Sequence, residues 1–144
     1  LTFMKHFFIV VEFFLLFFLF LSGPVFISSF PFNFIQLFGM FFICWALFAR
    51  WGNKKHGHYK SFGIYVIKTG PYEFIRHPVY AGVLLFVASM VQVEFTFLRL
   101  LAFLLFVTLI LICIKRDEKK TLENLKNEYS EYSMSTKRLI PYFY

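Results

Sequence analysis

Four apolar runs, at residues 7–21, 25–49, 79–93 and 97–114, occupy half of this chain of 144 residues. A soluble domain of that length cannot bury a composition that is 59% hydrophobic with 24 phenylalanines, so the runs specify an integral membrane protein. A helix needs roughly 20 apolar residues to cross a bilayer. Run one reaches that length by extending back to residue 3. Run three is short and must tilt or begin below the interface. The expected fold is all-α, a single membrane domain over residues 1–144. It has about four transmembrane helices, approximately at 3–21, 25–49, 79–93 and 97–114, the last two forming a hairpin. Run one reads as a span and not as a cleaved signal, because no A-x-A-like site follows Leu21 and the next run begins almost at once. It carries one charge, Glu12. Cys44 and Cys113 lie inside apolar runs and read as small buried hydrophobes, not as a disulfide.

The basic residues fix the orientation. Lys5 precedes run one; Arg50, Lys54, Lys55, Lys60, Lys68 and Arg76 lie between runs two and three; Lys115, Arg116, Lys119, Lys120, Lys126, Lys137 and Arg138 follow run four. Only Arg99 falls at the other turn. Four spans with both termini on one side put 14 of the 15 basic residues on that side, which the positive-inside rule makes cytoplasmic. The polar material is then a cytoplasmic loop, 50–78, and a cytoplasmic tail, 115–144. A water-soluble cofactor has only these segments and the adjoining helix ends to bind. No nucleic-acid partner is expected; the basic loop faces membrane lipids. His56 and His58 form an H-x-H pair, but without Cys or carboxylate ligands beside them no metal site is predicted. The apolar, β-branched stretch 62–67 is expected to lie along the interface.

In the tail, Glu118, Leu122, Leu125, Tyr129 and Tyr132 are spaced 4, 3, 4 and 3. That spacing predicts one stripe of an amphipathic helix over about 115–133, with Glu118 turned inward. A carboxylate aimed at a packed surface needs a partner, because burying it alone is costly. In the loop, Gly70-Pro71 signals a turn, and Pro78 suits the first position of a helix, where its missing N–H costs nothing. Arg76 and His77 then sit at a helix N-terminus whose free N–H groups and partial positive charge favour an anion. Tyr80 and Gly82 lie in the first turns and offer an aromatic face and a point of close approach.

The segment "GPYEFIRHPVYAG", followed past a helical hairpin by "DE", "EYSEY" and "RLIP", resembles the isoprenylcysteine carboxyl methyltransferases and the related phospholipid methyltransferases. The pattern G-x-Y-x-x-x-R-H-P-x-Y-x-G is complete in Gly70, Tyr72, Arg76, His77, Pro78, Tyr80 and Gly82. The usual Glu pair falls on Asp117 and Glu118, the paired tyrosines on Tyr129 and Tyr132, and the closing R-L-I-P on residues 138–141. Asp117 departs from the pair's first Glu, and Leu125-Lys126 stands where Phe-Gly is usual.

The resemblance implies an integral membrane enzyme using S-adenosylmethionine, bound in a cytoplasm-facing pocket between the Arg-His-Pro segment and the tail. Tyr72, His77, Pro78, Tyr80, Gly82, Glu118, Tyr129 and Tyr132 would bind the cofactor, and Arg76 and Glu118 would be catalytic. Arg76 would hold either a carboxylate acceptor or the cofactor's own carboxylate. An amine or thiol acceptor would have to lose a proton, to Glu118 or His77. The acceptor would be a lipophilic small molecule, such as a prenylcysteine-like carboxylate or a phospholipid amine. No G-x-G occurs and no strand–helix alternation for a Rossmann sheet is present, which excludes a soluble-type methyltransferase. Two other readings compete. One is an NADPH-dependent reductase of the sterol reductase type, against which Val79 and Val83 stand where that pattern has other residues. The other is a non-enzymatic membrane scaffold.

Overall fold

The computed structural model describes residues 2–23, 30, 32–55, 66–93 and 95–140. Within them the chain forms five α-helices: α1 (Thr2–Leu21), α2 (Phe32–Lys55), α3 (Pro78–Val93), α4 (Phe97–Asn124) and α5 (Lys126–Ser135). A short 3₁₀ turn, Gly70–Glu73, precedes α3. No strand forms among these residues beyond a single parallel bridge between Ile75 and Lys137. Two helices, over Asn33–Asn53 and Phe97–Asn124, are long and apolar enough to cross a membrane, and Val10–Leu21 and Pro78–Gln92 are shorter apolar stretches. Their outward faces carry exposed phenylalanines and leucines, among them Phe13, Phe14, Phe41, Phe48, Leu98 and Leu105. A surface of this kind suits a lipid environment.

The helix limits follow local chemistry. Pro78 opens α3, as its ring geometry favours. Thr96 caps α4, its hydroxyl accepting from the Arg99 N–H at 3.3 Å. Arg99 then turns back across the hairpin and donates from Nη2 to the Met90 carbonyl at 2.9 Å, near the end of α3. That places a cation where the last carbonyls of a helix carry partial negative charge. Arg99 is thus spent, at 1% exposure, on closing the α3–α4 hairpin.

α2 and α3 form the most extensive helix pair. Gly39 and Gly82 face each other there, and a Cβ on Gly39 would stand 2.9 Å from both the Gly82 carbonyl oxygen and the Phe86 nitrogen. Small residues permit this backbone approach between apolar helices. α1 packs chiefly on α4. The core joins Leu19 of α1, Ala81, Val87 and Val91 of α3, and Ala102, Phe106, Ile110 and Ile114 of α4; Ile75 and Leu139 extend it to the bridged segments.

The structure departs from the sequence reading at three points. The predicted tail helix is not one helix: α4 runs through the apolar stretch into the polar tail without interruption, then breaks at Leu125 (φ −127°, ψ 46°) before α5. The break disturbs the stripe, so Glu118, Tyr129 and Tyr132 are buried while Leu122 is 46% exposed. Cys44 is exposed and only Cys113 is buried; both are free thiols. His56, His58 and most of the 62–67 stretch lie outside the described residues, as does Pro141.

Candidate functional site: a cavity between the Arg-His-Pro segment and the tail

The site is assembled by backbone first. Gly70 has a positive φ of 64°, which lets the chain turn tightly against Ala49 and Trp45 of α2. Asn53 of α2 donates from Nδ2 to the Thr69 hydroxyl at 2.6 Å and holds the turn to the end of that helix. Downstream, residues 74–77 pair with 137–138: Arg76 N–H donates to the Lys137 carbonyl (2.7 Å), His77 N–H to the Arg138 carbonyl (3.1 Å), and Lys137 N–H to the Phe74 carbonyl (3.2 Å). The tail therefore returns through a single parallel bridge against the segment preceding α3. The Tyr132 hydroxyl donates to the Tyr72 carbonyl at 2.7 Å and anchors α5 to the 3₁₀ turn. Tyr132→Phe should leave that buried carbonyl without its donor and cost about 1–3 kcal/mol. Thermal unfolding of the variant beside the parent checks this.

Between these parts lies a cavity of about 420 Å³, within the range of small-molecule sites. Tyr72, Arg76, His77, Pro78 and Tyr80 line one side, and Tyr129 and Tyr132 of α5 line another. Arg50, Val66, Ile67, Val79, Asp117 and Thr121 complete it. Seven of the nine residues singled out from the sequence thus share one cavity. Five of the seven are aromatic or imidazole rings, and the His77 and Tyr80 centroids are 5.9 Å apart.

Gly82 and Glu118 are not in the lining. Gly82 is a point of close approach, as expected, but the neighbour is α2: its Cβ would stand 2.6 Å from Ile43 Cγ1. Glu118 lies behind the lining residues Arg76 and His77, in a cluster of cations. Its Oε2 accepts from Arg138 Nε at 3.0 Å, and its Oε1 lies 3.5 Å from Arg76 Nε and 3.4 Å from His77 Nε2. Burial works against its charge, but the contact with His77 and the charges of Arg76 and Arg138 outweigh it, and its carboxyl is held below its ordinary value. The inward carboxylate predicted by periodicity is therefore real, and its partners are the site's own arginine and histidine together with a tail arginine.

The contacts on Oε1 are long. Arg76 Nε, His77 Nε2 and Glu118 Oε1 are buried without a completed hydrogen bond among the described residues. Beside them, the Tyr129 hydroxyl is pushed up to about 12, by burial first and then by the Glu118 charge, so it stays protonated at neutral pH. Buried donors held loosely beside an aromatic-walled cavity suit a ligand carrying both a ring system and an anionic group.

Arg50, Asp117 and Thr121 were not singled out as site residues. Arg50 entered the sequence reading only as a topology marker, and Asp117 only as a departure from a Glu pair. Asp117 and Thr121 are one helical turn apart, and that spacing was the available signal.

A sequence model of the phospholipid methyltransferase family matches residues 34–128, about two thirds of the chain, from the first turn of α2 into α5. No curated protein and no solved structure gave a match. The matched stretch contains the α2–α3 pair, the Arg-His-Pro segment, Asp117 and Glu118, and on it the chain belongs to the phospholipid methyltransferase family, a family of membrane methyltransferases.

Proposed function

We propose that this protein transfers a methyl group from S-adenosylmethionine to a lipophilic acceptor at the cytoplasmic face of a membrane. In this reading the chain is one membrane domain of about four spans with both termini cytoplasmic. The observation that supports it most is the convergence of seven sequence-selected residues on one cavity at the polar ends of α2, α3 and α4. A cofactor arriving from water and an acceptor arriving from lipid could meet there.

S-adenosylmethionine supplies the methyl as a good electrophile, so the chain need provide no nucleophile. Its residues bind, orient and exclude water. Tyr72, Tyr80, Tyr129 and Tyr132 offer flat faces for a base. Arg50, which ends the apolar part of α2 and lines the cavity, and Arg76 offer cations for a carboxylate or phosphate. Glu118 acts as a positioning residue, because its carboxylate is committed to Arg76, His77 and Arg138. A phospholipid headgroup amine is the acceptor favoured here, since the family is named for phospholipids; its ammonium must lose a proton before it attacks the methyl, and the cavity-lining His77 is the base that would take it.

The test is transfer of labelled methyl from S-adenosylmethionine into lipid by the purified full chain in nanodiscs, with the labelled product identified. Label should appear in an aminophospholipid, S-adenosylhomocysteine should bind saturably, and NADPH should not. Arg76→Ala should abolish transfer while the protein still inserts and extracts as the parent does. Absence of S-adenosylhomocysteine binding by the parent protein would sink the reading.

A further inference from the structure

Glu12 has no part in the site as described so far. It sits ten residues into α1, in an apolar run, and α1 lies wholly outside the stretch matched to the family. A carboxylate at membrane depth is costly and commonly marks function. Here its partner is identified: the Cys113 thiol of α4 donates to Glu12 Oε1 at 3.3 Å. Those two residues are 101 apart in sequence, so the contact is made by the packing of α1 on α4.

The position of Cys113 connects this pair to the cavity. Cys113, Asp117 and Thr121 are spaced i, i+4, i+8 on α4 and form one stripe. Asp117 and Thr121 line the cavity; Cys113 continues the stripe one turn deeper, about 6 Å further into the apolar part of the helix. Glu12 therefore lies beneath the cavity on its bilayer side. Tyr80, which lines the cavity from α3, is within electrostatic reach of Asp117, Cys113 and Glu12, and also of Arg50. The cations are distributed differently: Arg50 stands at the polar end of α2, and Arg76 and His77 are drawn to Glu118. Arg50 and Arg116, the cations in reach of Tyr80 and Cys113, lie toward the polar ends of α2 and α4, so Glu12 is the acidic group set beneath the cavity.

We propose that Glu12 is a specificity-determining residue that makes the lipid-facing side of the cavity select acceptors bearing a protonatable amine over acceptors bearing a carboxylate. A fixed negative charge in a medium less polarisable than water attracts an ammonium group and repels a carboxylate over several ångströms. Glu12 acts by this field, with Cys113 fixing its orientation. The proposal takes from the methyl-transfer reading only the idea that a lipid acceptor enters the cavity, so its test does not depend on turnover.

The experiment measures equilibrium binding of a fluorescent long-chain amine and of its carboxylate counterpart to the full chain in uncharged nanodiscs. The parent should bind the amine about tenfold more tightly or better. Glu12→Gln, which still accepts from the Cys113 thiol, should bring the two affinities within about threefold, and Glu12→Asp should restore much of the preference. S-adenosylhomocysteine affinity should be unchanged in both variants, a readout that general misfolding would move. Equal binding of the two probes by the parent, or an unchanged preference in Glu12→Gln, overturns the proposal. An intact amine preference in a protein that transfers no methyl would instead overturn the methyl-transfer reading and leave this one standing.

Discussion

Glu118→Ala should unfasten the tail. One carboxylate, 9% exposed, is shared by Arg76, His77 and Arg138, and removing it takes from the buried Arg76 and His77 side chains the carboxylate they face. Deleting one partner of a buried ionic cluster typically costs about 3–5 kcal/mol. The loss should be local, because the helices behind the site keep their own packing. Hydrogen exchange reads it directly. The amides of Arg76, His77 and Lys137, which cross-link segments 74–77 and 137–138, should lose about a hundredfold or more in protection. Amides in the middle of α3 and α4 should change little. Methyl transfer should fall by about a hundredfold or more as the tyrosines of α5 leave the cavity. Unchanged protection at residues 76, 77 and 137 would refute the role assigned to Glu118.

The same cluster sets an acid limit. The Glu118 carboxyl is depressed in the folded protein, so the stabilisation it gives is present above the ordinary glutamate range. It is lost as pH falls through the depressed value. Glu118→Gln should remove that acid-dependent component, leaving tail protection low and flat through the same pH range.

The membrane class, the four apolar segments and the start of α3 at Pro78 were legible because each rests on composition or on one residue's backbone chemistry. The inward turn of Glu118 was legible from periodicity alone, since three of the five stripe residues are buried despite the break at Leu125. Its partners were not. Arg138 lies 20 residues downstream and reaches Glu118 only because the tail reverses and pairs with residues 74–77. No periodic signal encodes a three-bond contact of that kind. Which neighbour Gly82 meets was illegible for a related reason. Its neighbour Gly39 is 43 residues earlier, and a glycine at a helix interface looks the same in sequence as one beside a ligand. The Glu12–Cys113 contact spans 101 residues and was invisible until α1 was seen on α4.

Gly39→Ala should be among the most damaging single substitutions in the chain, although alanine is the better helix former. Replacing glycine by alanine in a helix interior gains about 1 kcal/mol of intrinsic propensity. Against this, the new methyl would stand 2.9 Å from the Gly82 carbonyl oxygen and 2.9 Å from the Phe86 nitrogen, and neither backbone atom can yield without moving α3. Overpacking of this kind costs about 1–3 kcal/mol in ordinary cores, and more where the obstacle is backbone. The clash therefore wins, and the helices must separate. Separation reaches the site, because α2 carries Arg50 and α3 carries Pro78, Val79 and Tyr80 to the same cavity. Gly82→Ala should be comparably damaging, since its Cβ would stand 2.6 Å from Ile43 Cγ1 and also 2.9 Å from the Gly39 carbonyl oxygen, so pairing it with Ile43→Ala should recover only the side-chain part of the loss. Thermal unfolding in detergent, with S-adenosylhomocysteine affinity measured on the same samples, tests this: both single variants should fall well below the parent, and Gly82→Ala with Ile43→Ala should recover only part of the loss. Parent-like stability and affinity in Gly39→Ala would show that α2 and α3 do not approach at this glycine pair.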